Sequence, residues 1–260
     1  MKTVNICHSF RYGKIMYNVL DEFVGKSLKL YGEYSQGEAD LFSQIIRRGD
    51  IIVEVGANIG SHTVHLAQLV GEDGKVYAFE PQRLVFQLLA GNMAMNNLNN
   101  VYCMQNCVAD KHGVAKVPVL DVTKVQNWGG LSLNEGYEGE DVETITLDSL
   151  NLSRCDFLKI DAEGMEEQVL KGAEHLIDTC QPIIYTEMDR ADKNPEICAL
   201  LWNKGYKIYP HLPPLYNPSN FFGNTENVFM RDGKNIVSIN AICLPKNSHI
   251  SIEGVSELQK

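Results

Sequence analysis

Apolar positions along the chain fall into short runs of two kinds that follow one another in turn. Ile51-Ile52-Val53-Glu54-Val55 is β-branched and closed by Gly56, the pattern of a buried strand. Residues 75–79, 101–105, 156–160 and 182–187 repeat it. Between these runs, residues 61–70, 82–96, 165–177 and 195–204 carry apolar side chains at helical spacing, with Val85, Leu88, Leu89 and Met93 on one face of the second. Ahead of the first strand, Leu41, Phe42, Ile45 and Ile46 predict a helix that stops at Gly49. Ser35 and Glu38 have the spacing of a capping box, each side chain accepting from the other's backbone N–H. Residues 113–120 and 141–147 alternate like paired strands around an irregular polar stretch that includes Asn127-Trp128-Gly129-Gly130. From Tyr206 the chain reads as short strands joined by Pro- and Asn-rich loops.

Strands alternating with helices imply right-handed βαβ crossovers, hence an α/β fold with a mostly parallel sheet covered on both faces. In such sheets ligands bind beyond the carboxyl ends of the strands, where strand order switches direction. The positions to inspect are therefore 54–61, 80–82, 106–110, 161–164, 187–190 and 210–212. Neither a repeat nor a low-complexity linker divides the chain. The expected organisation is an N-terminal appended segment over residues 1–34, one domain over 35–250 and a tail over 251–260.

Charge narrows the class. Thirty-three acidic against 23 basic side chains give −10, which argues against a duplex nucleic-acid binder, since that needs a dense positive face. Seven cysteines, at 7, 103, 107, 155, 180, 198 and 243, are odd in number and lack a Cys-x-x-Cys pair. That spacing suits neither a zinc site nor a disulfide framework, so reduced thiols and a cytoplasmic location are expected. No apolar run approaches the roughly 20 residues that span a bilayer, and the N-terminus lacks a signal-type apolar region, so no membrane partner is expected.

The strand ends carry the chemistry. Glu54-Val55-Gly56-Ala57-Asn58-Ile59-Gly60 follows the first strand, and its two glycines permit a tight turn and close approach of a ligand to the backbone. Glu80-Pro81 follows the second, twenty residues beyond Gly60, where a carboxylate can accept both hydroxyls of a ribose. An adenosine-containing ligand is implied. A dinucleotide's pyrophosphate calls for G-x-G-x-x-G at a helix N-terminus, whereas here the spacing is G-x-x-x-G beside the acidic Glu54. A cationic ligand without phosphate fits better, which favours S-adenosylmethionine over NAD(P) or a purely structural turn. Gly25-Lys26-Ser27 imitates the end of a P-loop, but Leu20 stands where its first glycine belongs.

Three segments resemble the signatures of the FkbM-type methyltransferases: 53–63 with Val53-Glu54-Val55-Gly56-Ala57-Asn58, then Ala78-Phe79-Glu80-Pro81, and 158–166 with Leu158-Lys159-Ile160-Asp161-Ala162-Glu163-Gly164. The likeness continues through Asn127–Gly130, Thr186–Arg190 and residues 214–220, spanning roughly 30–245. It implies a Rossmann-like class I methyltransferase fold with a seven-stranded, mostly parallel sheet and helices on both faces. It implies S-adenosylmethionine as donor and O-methylation of a hydroxyl on a sugar-like, lipid or natural-product acceptor. By position, Gly56, Ala57, Asn58, Gly60 and His62 would line the donor loop, Glu80 and Pro81 the ribose, and Cys107, Val108 and Asp110 the adenine.

An alcohol acceptor must lose its proton as the new bond forms, and a placed carboxylate or imidazole can take it. Asp161 and Glu163 follow a buried strand directly, and Asp161 is also expected to face the donor; Glu187 ends the next strand and His211 a later one, completing the catalytic candidates. Glu163 has an alternative role as cap of a helix starting near Gly164. Such carboxylates could hold a metal, but they serve equally to orient hydroxyls, and none is expected here. His65 reads as a packed or exposed helix residue, and Tyr34 and Glu38 as neighbours of the donor's methionine end. Asn220, Asn224, Asn227 and Asn240 lie beside aromatic residues, suiting either sugar recognition or simple turns. Lys159, on a buried strand, needs an acidic partner, with Asp50 and Glu187 the candidates. The rival to an enzyme is a binding or scaffold protein that keeps a vestigial donor site.

Overall fold

A computed structural model of the chain describes residues 4–130 and 139–259. Residues 131–138 of the irregular stretch, the first three residues and Lys260 lie outside the described residues. Chain order begins with a hairpin, β1 (Asn5–Phe10) and β2 (Gly13–Asn18), then α1 (Val24–Tyr31), α2 (Gln36–Ile45), β3 (Ile51–Val55), α3 (Thr63–Val70), β4 (Lys75–Phe79), α4 (Arg83–Met95) and β5 (Val101–Met104). Next come β6 (Cys107–Val108), β7 (Gly113–Pro118), β8 (Gly139–Ile145), a 3₁₀ turn over Leu147–Leu150, β9 (Phe157–Ile160), α5 (Glu166–Lys171), α6 (Glu174–Cys180), β10 (Ile183–Glu187) and α7 (Asn194–Asn203). The chain closes with β11 (Tyr206–His211), β12 (Met230–Arg231), β13 (Lys234–Asn235) and β14 (Asn240–Pro245).

Seven strands form the central sheet in the order β11-β14-β10-β9-β3-β4-β5. Neighbours from β5 to β10 run parallel, and β14 runs antiparallel to both β10 and β11. Strand order reverses at β3, which pairs with β4 on one side and β9 on the other, so the carboxyl end of β3 is the switch point. The alternation of side chains along each strand explains two separate cores. Ile52, Val76, Ala78 and Phe157 face α2, α3, α4 and the hairpin. Val53, Val55, Leu158 and Ile160 face α5, α6 and α7. The N-terminal segment contributes Phe10, Ile15, Tyr17, Val24 and Leu28 to the first core, and Asn92 of α4 ties the hairpin down by bonding both the N–H and the C=O of Met16.

Two local expectations change. The continuous helix over 165–177 is two helices, α5 and α6, broken at Gly172-Ala173. A Cβ at Gly172 would collide with the carbonyl of Ala109, and Asp148 accepts from the His175 and Leu176 N–H groups to start α6 afresh. The capping box is also absent. Ser35 adopts a left-handed conformation (φ 42°), and its Oγ donates to Glu38 Oε1 at 2.7 Å, so the two side chains bond each other.

Candidate functional site

A cavity of about 510 Å³ opens at the carboxyl ends of β3, β4, β9 and β10, within the range of small-ligand sites. The turn after β3 needs its glycines for internal reasons. Gly56 and Gly60 have φ of +78° and +88°, a Cβ on Gly56 would collide with the Asp161 carbonyl, and one on Gly60 would press on Met93 and Leu89 of α4. Gly56, Ala57 and Asn58 line the cavity, whereas Gly60 is buried beneath it.

Glu80 closes one end. Its two carboxylate oxygens accept from the backbone N–H groups of Asn58 (3.0 Å) and Gln82 (2.9 Å), fixing the carboxylate while leaving lone pairs toward the cavity. Burial raises its pKa to about 7. Pro81, Cys107 and Val108 form the adjoining wall. Asp110 is exposed and lies outside that wall.

A buried charge cluster occupies the other side of β3. Glu54 and Lys159 are register partners on β3 and β9 and point to the same face. Thr63 Oγ1 donates to Glu54 at 2.6 Å, and burial raises Glu54 to about 7 against the opposing pull of Lys159. Lys159 pairs with Asp161 at 3.2 Å, with Glu54 and Glu38 also stabilising its charge. That corrects the expected partners. Asp50 lies at the opposite end of β3, beside Arg154, and Glu187 is not its partner. From outside the sheet, Glu38 of α2 and His62 at the start of α3 complete the cluster, with Glu38 Oε2 and His62 Nε2 3.7 Å apart. Tyr34 and Glu38 thus do line the cavity.

Asp161, Glu163 and Glu187 come together at the mouth, each offering a carboxylate oxygen within 4.8 Å of the others, a grouping that could hold an oxygen-preferring divalent cation. Burial and the neighbouring charges of Asp161 and Asp189 push Glu163 up to about 8, and Glu187 is raised by burial and by Asp161 and Glu163. Glu163 does not cap a helix. It adopts φ 51° and pairs with Arg190 at 3.3 Å, while Glu166 accepts from the Ala162 and Gly164 N–H groups in its place. His211 is held apart from these carboxylates, its Nδ1 2.8 Å from the Tyr185 hydroxyl and outside the cavity wall. His65 bonds Ser43 and stacks on Tyr12, a packing role. Of the four tail asparagines, Asn240 lines the cavity, Asn220 and Asn227 bond within the tail, and Asn224 Nδ2 donates from it to the Leu30 carbonyl of α1.

Residues 54–208, more than half of the chain, match the family model described as Methyltransferase FkbM domain. The chain belongs to the FkbM methyltransferase family. The relatives of this FkbM-family chain include two curated methyltransferases. Methyltransferase sdnD of Sordaria araneosa is 27% identical over 60% of this chain and 73% of its own length. The 31-O-demethyl-FK506 methyltransferase FkbM of Streptomyces tacrolimicus is 26% identical over 66% of this chain and 78% of its own. Among solved structures, methyltransferase FkbM from Methylobacillus flagellatus KT shares the fold, with a TM-score of 0.50 and 14% identity, over 79% of this chain and 50% of that one. The match ends at residue 208. The cavity wall supplied by residues 34–38 and 236–240 lies outside it; Tyr34, Glu38 and Asn240 are candidates in sequence, but nothing local announces that 236–239 return to the strand ends.

Proposed function

We propose that the protein transfers the methyl group of S-adenosylmethionine to a hydroxyl of a small, polar, sugar-like acceptor. The observation that carries this reading is the single cavity wall that joins Glu80, fixed by two backbone N–H groups, to the buried Glu38–Lys159 cluster across the end of β3. The residues fit the donor: Glu80 has lone pairs free for ribose hydroxyls, and the charged cluster suits a sulfonium-bearing amino acid. When bound, the donor supplies an electrophilic methyl whose displacement leaves a neutral thioether. Asp161, half-exposed at the mouth and held by Lys159, takes the acceptor proton as the oxygen–carbon bond forms. Glu163 and Glu187 orient the acceptor's other hydroxyls, and the enclosing walls hold the reacting atoms in line.

The proposed location is the cytoplasm, which the seven unpaired thiols support; separately, among the described residues no helix is long and apolar enough to cross a membrane. The acidic surface disfavours nucleic acid as acceptor. Calorimetric titration with S-adenosylhomocysteine tests the donor, and absence of binding at millimolar concentration rejects the enzyme in favour of a scaffold; NAD(P) serves as the competing ligand. Asp161→Asn is expected to keep donor affinity and lower turnover by roughly 10²–10⁴-fold. Unchanged turnover would remove Asp161 from the proton transfer.

A further inference from the structure

Glu38 and His62 face each other across the cavity wall, both nine-tenths buried or more, and His62 Nε2 has no hydrogen-bond partner. Leaving such a nitrogen dry and unpaired costs about 1–3 kcal/mol, so its persistence needs a reason. Packing on Phe42 and Tyr34 seats the ring but gives that nitrogen no partner. Ser35 Oγ donates to Glu38 Oε1 at 2.7 Å and Ser238 also donates to the carboxylate, while Oε2 faces His62 at 3.7 Å, too long for a hydrogen bond between them. One acceptor and one ring nitrogen therefore stand side by side on a cavity wall, each unsatisfied by the other. Burial, with the positive charge of Lys159 nearby, holds His62 neutral, so its ring can carry a single N–H donor.

The position is as informative as the chemistry. Glu80 marks the end of β4, and Lys159, which stabilises Glu38, marks the end of β9. With β3 between them, these ends lie two strand spacings apart, about 10 Å, on the scale of the distance from ribose to amino acid in an extended donor.

We propose that Glu38 and His62 bind the amino-acid end of the methyl donor, Glu38 Oε2 accepting from its ammonium and the His62 ring N–H donating to its carboxylate. This rests on the reading of S-adenosylmethionine as donor. It assigns a binding role to a residue of α2 that lies outside the stretch matched to the family. A zwitterion is recognised only by such a paired acceptor and donor, because either charge alone in a dry site would be left uncompensated.

The test compares S-adenosylhomocysteine with 5′-methylthioadenosine, which keeps the nucleoside and thioether but lacks the amino acid, by calorimetry on the full chain. Wild-type protein is expected to bind S-adenosylhomocysteine at least roughly tenfold more tightly than methylthioadenosine. Glu38→Gln and His62→Phe are each expected to weaken S-adenosylhomocysteine by roughly 10–100-fold and to leave methylthioadenosine unchanged. Equal affinity of the two ligands for wild type overturns the proposal without requiring any variant to fold. Unaltered S-adenosylhomocysteine binding in both variants, or an equal loss for both ligands, also overturns it while leaving the donor reading intact. No binding of either ligand to wild type overturns both.

Discussion

Glu80 sits in an environment that disfavours its own charge. Burial raises its folded pKa to about 7, against an ordinary glutamate value near 4.5, and the two backbone N–H groups only partly offset this. Between these values the folded state binds more protons than the unfolded chain, so this carboxyl's contribution to stability is full below about pH 4.5 and is lost as pH rises through 7. Burial also raises Glu54 to about 7 and Glu163 to about 8, and it lowers His62, whose contribution has the opposite sign, so the effect is isolated by difference. The stability of Glu80→Gln relative to wild type is expected to improve by about 2 kcal/mol between pH 5 and pH 7.5 in ligand-free protein. Urea denaturation at several pH values measures this, and a pH-independent difference would show that Glu80 ionises normally. The site's acidic residues were legible in sequence because each ends a strand whose apolar run announces it. Their pairings were not. Lys159 chooses Asp161 and Glu54 because β9 lies beside β3 with Lys159 and Glu54 in register, and register between distant strands leaves no local trace. Glu38 has two readings in sequence for a similar reason: its spacing from Ser35 suits a capping box as well as a place beside the donor, and only the fold shows that α2 starts without that box.

At the scale of elements, the strands of the central sheet from β3 to β10 and the helices α3, α4 and α7 stand within a residue or two of where apolar periodicity puts them, and the sheet's parallel core follows from their alternation. By contrast, β1, β2 and α1 lie in a stretch too weakly periodic to announce them. The α5–α6 break shows where that reasoning stops. Residues 165–177 keep helical spacing throughout, and what interrupts them is Ala109, more than sixty residues away, whose carbonyl abuts Gly172. Periodicity describes one helix face; it says nothing about what another chain segment forces on it. Gly172→Ala is therefore expected to destabilise the fold by about 1–3 kcal/mol, through displacement of the loop that follows Cys107 and Val108. Thermal or urea unfolding of the variant measures this, and a neutral or stabilising effect would mean that the helix pair, rather than Ala109, sets the break. The antiparallel position of β14 between β10 and β11 was equally beyond local pattern, since it depends on where the long 212–239 connection returns.

That connection bears on the molecule as a whole, because it brings residues 236–240 over the site and is itself anchored to the N-terminal segment. Glu33 makes the anchor. Buried to within a few per cent, it accepts from Arg11 (2.7 Å), from Asn217 Nδ2 (2.8 Å) and from the Phe221 N–H (2.8 Å). Three stretches of chain, the hairpin, the end of α1 and the loop over 217–222, are thus held by one carboxylate. Since the hairpin packs into the core on the same sheet face as α2, α3 and α4, the segment before residue 35 is expected to unfold together with the domain and not ahead of it. Glu33→Ala strands the Arg11 guanidinium and the Phe221 N–H without their acceptor and should cost about 2–4 kcal/mol. Unfolding remains a single step in this account. Trp128 belongs to the core on the hairpin's face, and Trp202 packs against the core on the other. Fluorescence of Trp128→Phe and Trp202→Phe proteins, each reporting the remaining tryptophan, should therefore give coincident urea midpoints, both lowered equally by Glu33→Ala. Separated midpoints, or a shift confined to Trp128, would instead make the N-terminal segment an independently melting addition to the methyltransferase domain.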